Sequence, residues 1–207
     1  MVSSRRGVRG IAVVLATLGM LFMAAQPVGA SSTKFGAVLS TNTQPSNSPT
    51  NCDHQLTGND GTDKCTWIEA NAYNSGGSGI PGAQAPKNGT INKVKLISCH
   101  SGSFTLFIAH FNQSTHVGSV VAQGPKISYT GQCTNTSYTI QKYSFSAITV
   151  HTGDYLAIRG ASVGFVRCDQ GSLHIALYKP PLTVGGGSAS MTGDSGCYLL
   201  LEAVYSS

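Results

Sequence analysis

Charged side chains are scarce in this sequence: Asp, Glu, Lys and Arg make up only 10% of its 207 residues, against ~25% in ordinary soluble domains. Glu69 and Glu202 are the only glutamates, and Trp67 is the only tryptophan. This scarcity excludes a coiled coil, an acidic disordered chain and a strongly basic nucleic-acid binder. There is no C-x-x-C motif, so the usual zinc-chelating step is missing. No 3.6-residue apolar stripe runs for three turns beyond the first 30 residues, which argues against a helical fold. What fills the chain instead is 25 Gly and a large neutral polar fraction, with Ser, Thr and Asn at about a quarter of the residues.

The N-terminus reads as an export signal covering residues 1–30. Arg5, Arg6 and Arg9 precede an apolar run from Ile11 to Ala25, and Val28-Gly29-Ala30 offers the small residues of a cleavage site. That run is shorter than the ~20 residues a spanning helix needs, so no transmembrane segment is expected after cleavage. Ser4 to Arg9 loosely matches a twin-arginine motif, with Arg9 where an apolar residue belongs, and the export route stays open. Cleavage changes the charge balance. Of 13 basic residues three lie in the signal, leaving 10 against 8 acidic ones, or about +2 in place of +5. So small an excess offers few partners for phosphates, and nucleic acid is excluded as a ligand.

Cys52, Cys65, Cys99, Cys133, Cys168 and Cys197 form an even set in an exported chain, which reads as three disulfides. Six cysteines allow 15 connectivities. The simplest is sequential, Cys52–Cys65, Cys99–Cys133 and Cys168–Cys197, each worth about 3–4 kcal/mol if loop restriction is the mechanism.

Residues 31–62 read as a flexible polar tail and disulfide loop, ending near TGNDGTD, and residues 63–207 as the folded domain. From Thr90 onward, short apolar runs alternate with turn residues. Phe104, Leu106 and Ile108 share one strand face, and Phe107, Ala109 and Phe111 the other, as in a strand buried on both sides. Ala147–Val150, a His151–Asp154 turn and Tyr155–Arg159 read as a hairpin. Nine to eleven such strands predict an all-β fold, an antiparallel β-sandwich of jelly-roll type with disulfides; a small barrel is the alternative.

Candidate chemistry is thin. Gly193-Asp194-Ser195-Gly196 resembles the nucleophile loop of trypsin-like proteases, which would make Ser195 catalytic. Only 12 residues follow it, and no histidine sits in the matching context, so a plain turn before a strand is the preferred reading. Glu69 and Glu202 could act as a carboxylate pair only if the fold brought them together. Asp53, Asp60 and Asp63, with Asn59, could hold calcium on a cross-linked loop, though the spacing is not that of an EF-hand. The six histidines show no i, i+2 or i, i+4 pair, and His110 and His174 fall within strand-like runs as structural residues. Val184–Ser188 is Gly-rich but lacks the Lys-Ser/Thr of a phosphate loop. No cofactor is implied. Trp67, Tyr73, Tyr138 and Tyr143, with Tyr198, could form a platform for sugar rings, although Trp67 is better suited to the core.

The signal, CTWIEANAY (65–73), APKNGTINKVKLISC (85–99), ITVHTGDYLAIRG (148–160) and GCYLLLEAVY (196–205) resemble small secreted β-sandwich proteins of actinobacteria without established activity. That resemblance implies an extracellular sandwich and supplies no catalytic residues. The expectation is therefore a secreted, non-enzymatic protein that binds a ligand, a glycan or a cell-envelope component. A secreted hydrolase and a structural cell-surface protein are the alternatives.

Overall fold

A computed structural model of the chain describes residues 34–52, 64–73, 82–134, 137–169 and 173–206. The chain divides between Ala30 and Ser31, and every described residue belongs to the second unit. No helix among the described residues is long and apolar enough to cross a membrane.

The fold is all-β, with antiparallel pairing between its strands, and it forms a sandwich. In chain order the strands are β1 (Lys34–Gly36), β2 (Thr50–Asn51), β3 (Cys65–Glu69), β4 (Gly89–Leu96), β5 (Gly102–Asn112), β6 (Val117–Tyr129), β7 (Gln141–Val150) and β8 (Tyr155–Gly160). There follow β9 (Ser162–Val163), β10 (Val166–Cys168), β11 (Ile175–Tyr178), β12 (Ala189–Ser190), β13 (Gly193–Ser195), β14 (Cys197–Leu199) and β15 (Leu201–Tyr205). One sheet has seven strands in the order β12-β6-β5-β8-β3-β11-β13, and the other has four, β1-β15-β4-β7. Two ribbons, β2-β9 and β10-β14, complete the set.

Period-two burial positions the strands. In β5, Phe104, Leu106 and Ile108 join the main core between the sheets, whereas Phe107, Ala109 and Phe111 join a second cluster on the outer face. Strand β8 behaves alike, with Leu156 and Ile158 inward and Tyr155 and Ala157 outward. A strand apolar on both faces fits only inside a covered sheet, and β5 and β8 lie side by side near its middle. The outer face is covered in part by the segment after β11. Leu182 N–H donates to Thr66 Oγ1 (2.9 Å), and Thr192 Oγ1 donates to the Leu177 carbonyl (2.9 Å).

The same constraint corrects the hairpin expected at residues 147–159. Strand β7 pairs with β4 in the smaller sheet, while β8 pairs with β5 and β3 in the larger one. The His151–Asp154 turn is therefore an arch between layers. Asp154 N–H donates to the His151 carbonyl (3.0 Å), and Gly153, at φ 90°, supplies the left-handed residue the turn requires. Because β7 is largely exposed, it takes an edge, while doubly buried β8 is drawn to the middle.

The tail reading also needs correction. Residues 34–52 are part of the fold: β1 pairs with β15, and Phe35 and Ala37 are fully buried. Thr43 is buried as well, and β2 pairs with β9. A few apolar residues suffice because their partners lie at the far end of the chain. Residues 53–62 of that segment, and 1–33, lie outside the described residues.

The cysteines pair sequentially, Cys52–Cys65, Cys99–Cys133 and Cys168–Cys197. The first fastens the N-terminal segment to β3, the second joins the loops after β4 and β6, and the third links register partners on β10 and β14. Burying Phe35 makes β1 a structural strand. Phe35→Ala should lower stability by about 3–5 kcal/mol, measured as a shift in denaturant midpoint. A change within about 0.5 kcal/mol, the size of an ordinary surface substitution, would return the segment to a dispensable tail.

Candidate functional site

The fold disperses most of the sequence candidates. Trp67 faces the main core, fully buried, and its Nε1–H donates to the Gly160 carbonyl on β8 (2.9 Å). It offers no face to a sugar, so its place in a binding platform is withdrawn. Tyr138 and Tyr143 pack against the core near the four-stranded sheet, and Tyr143 Oη donates to Gln141 Oε1 (2.6 Å). Ser195 is buried on β13, its Oγ accepting Cys197 N–H (3.1 Å). This hydroxyl terminates a turn, and its carbonyl accepts His174 N–H (3.1 Å); neither contact is that of an activated nucleophile. Asp53, Asp60 and Asp63 lie outside the described residues. Among the described residues no three His, Cys, Asp or Glu side chains are placed to share a metal ion.

The two glutamates do not face one cleft. Glu202 lies between inward-facing Leu201 and Ala203 and so points away from the core. There it is held by Lys34 Nζ (2.9 Å) and Lys95 Nζ (2.7 Å). Glu69 points inward beside Gly36, whose Cβ, were one present, would lie 3.2 Å from Glu69 Oε2. Neither Glu69 oxygen has a hydrogen-bond partner among the described residues. Burial holds this carboxyl well above the usual carboxylate range.

Two histidine–aspartate pairs assemble without any sequence signature. Asp154, buried at the arch, accepts His151 N–H at Oδ2 (2.7 Å) and sets Oδ1 3.1 Å from His110 Nε2. His110 itself is 62% exposed, at a shallow concavity of about 360 Å³ that Ser119 and Ser188 also line. Among the described residues no serine hydroxyl hydrogen-bonds to His110, so the pair is not a triad.

The second pair belongs to a ring cluster at the β10–β14 ribbon. Arg167 and Tyr198 are cross-strand partners there. His174 stacks on Tyr198 at 3.8 Å between centroids, 14° from parallel. Its Nε2 lies 3.0 Å from Asp169 Oδ1. Tyr73 meets Tyr198 edge-on at 5.6 Å, and the Arg167 guanidinium lies 5.0 Å from the Tyr73 ring centroid. Burial first, and then the Asp169 charge, raise the Tyr198 pKa, keeping its hydroxyl protonated. Beside the cluster, Gln44, Ser46, Asn47 and Arg167 line a polar concavity of about 320 Å³. Arg167 serves both, since its Nη1 also donates to the Gln44 carbonyl (3.2 Å).

Of the four aromatics named first in the sequence, only Tyr73 reaches this cluster, where it meets Tyr198. Arg167 and Asp169 carried no signal, because their roles come from pairing across the ribbon. No family model, curated protein or solved structure matches the chain.

Glu69 generates a pH prediction. Its folded pKa exceeds the unfolded value, so the protonated, folded form has its full stability below the ordinary glutamate range. Stability then declines as pH climbs from there toward the raised folded pKa. Denaturant midpoints measured from pH 4 to 9 should show that decline, and Glu69→Gln should flatten it. Parallel curves for the two proteins would show that Glu69 is not the buried acid responsible.

Proposed function

We propose that the chain is exported, loses residues 1–30, and acts outside the membrane as a non-enzymatic, jelly-roll-like sandwich that binds glycan of the cell envelope. Export is supported by the N-terminal segment and by three disulfides, bonds that persist in oxidising compartments.

The observation that carries binding is the Tyr73–Tyr198–His174 ring cluster with Arg167 and Asp169, set beside a polar concavity. Saccharides present an apolar C–H face and a polar rim. Rings match the first; guanidinium, amide and carboxylate match the second. Held in place by stacking and by a disulfide-linked ribbon, such groups lose little freedom on binding. Buried Ser195 and separated Glu69 and Glu202 lend the hydrolase alternative no comparable constellation.

A glycan array bearing bacterial envelope oligosaccharides should identify a ligand for the wild type. Tyr73→Ala and Arg167→Ala should each weaken it about tenfold or more, roughly 1.4 kcal/mol, with unchanged thermal melting. Trp67→Ala should instead destabilise the fold by about 3–5 kcal/mol. A silent array, or full affinity in both ribbon variants, would overturn the reading.

A further inference from the structure

The roomiest of these concavities, about 430 Å³, lies elsewhere, at the end of the seven-stranded sheet where β5 begins and β8 ends. Its character follows from strand register. Thr66 on β3 pairs with Arg159 on β8, Arg159 with Thr105 on β5, and Thr105 with Lys126 on β6. Directly paired residues project from the same face, so Arg159, Thr105 and Lys126 form one row across three adjacent strands. Strands lie about 4.8 Å apart, which puts the Arg159 and Lys126 backbones about 10 Å from each other. Lys64 and Ser103 also line the cleft.

Three cations thus border one cleft, and no Asp or Glu among the described residues lines it. None of the three makes an ion pair among the described residues, whereas Lys34 and Lys95 both pair with Glu202. Arg159 is held in place: Nη2 donates to the Leu182 carbonyl, and the guanidinium lies 4.7 Å from the centroid of the Phe107 ring. Its Nε is shielded from water and has no hydrogen-bond partner among the described residues. A fixed guanidinium, flanked by lysines and hydroxyls, is the donor set for a sulfate, phosphoryl or carboxylate group. Repulsion among the three cations falls when such a group enters.

We propose that this cleft is a second binding site, independent of the ribbon, which takes oxyanion substituents of an acidic polysaccharide. Lys126 and Lys64 supply charge from the rim, and Arg159 supplies directed hydrogen bonds.

The test is calorimetric titration of the full exported chain with dextran sulfate, polygalacturonate and neutral dextran at two salt concentrations. Dextran sulfate should bind, more weakly at high salt, and neutral dextran should not. Lys126→Glu and Lys64→Glu, both at exposed rim positions, should each cost at least tenfold with thermal melting unchanged. Lys142→Glu, on the other sheet, should cost nothing, and neither should Tyr73→Ala. Polygalacturonate binding as tightly as dextran sulfate would assign carboxylates, and weaker binding would assign tetrahedral oxyanions; either is consistent with the site. The proposal is overturned if dextran sulfate fails to bind, if Lys126→Glu keeps wild-type affinity, or if Lys142→Glu loses as much. Failure of the ribbon variants on the array would leave this result standing, since different residues carry it.

Discussion

Burial of the seven-stranded sheet on both faces is the constraint from which the remaining structure follows. Strands β5 and β8 carry apolar side chains on alternate faces throughout, so leaving either face wet would expose Phe104 and Leu106 on one side or Phe107 and Tyr155 on the other. At about 25 cal/mol per Å² of apolar surface, such exposure would cost several kcal/mol. The four-stranded sheet covers the inner face, with β1 contributing Phe35 at its edge. The outer face needs a second cover, to which Leu182 and Met191 contribute from the segment after β11. Thr66, Thr192 and the His116 carbonyl tie that segment down. Disulfides act at the margins of this arrangement, where the loops and ribbons have less apolar surface to hold them.

Local pattern was legible where local pattern decides the structure. The two-sided alternation from Phe104 to Phe111 announced a central strand, and β5 lies between β6 and β8. An even number of cysteines announced disulfides, and the sequential pairing matches the register of Cys168 with Cys197. Where partners lie far apart, the same reasoning failed. Nothing near Phe35 signals that β15, at the opposite end of the chain, will pair with it. Nor does a four-residue turn between two apolar runs distinguish a hairpin from an arch. That choice depends on how many faces each flanking strand must bury, and β7 and β8 differ in this respect.

The candidate sites were less legible for the same reason. Trp67, the most conspicuous aromatic, is the kind of large side chain a core takes up when its indole N–H can reach a carbonyl, and Gly160 provides one. Arg167 and Tyr198 come together because β14 pairs with β10, a long-range event, and Tyr73 meets Tyr198 from the segment after β3. Lys64, Lys126 and Arg159 share no motif. Arg159 and Lys126 are brought near each other by the register across β8, β5 and β6, and Lys64 joins them from just before β3; no window along the chain contains the set.

Scarcity of charge makes the placement of each charged group informative. In a chain with so few, Glu202 draws Lys34 and Lys95 onto one carboxylate that is otherwise buried, so those two lysines are committed to the fold. Asp154 faces two histidines at the arch between the sheets, and Asp169 is held by the ribbon cluster. These acids are committed too. A row of cations on the larger sheet has no compensating carboxylate among the described residues, although Arg159 within it is tied to the fold by the Leu182 carbonyl and the Phe107 ring. Mutual repulsion makes it mildly unfavourable, and burial of part of Arg159 adds a desolvation cost. Cohesion of the sandwich therefore accounts for Arg159 but not for the lysines beside it. A ligand carrying the missing negative charge does, and it would bind where the fold has left hydroxyls and a fixed guanidinium rather than more of the apolar surface that it covers elsewhere.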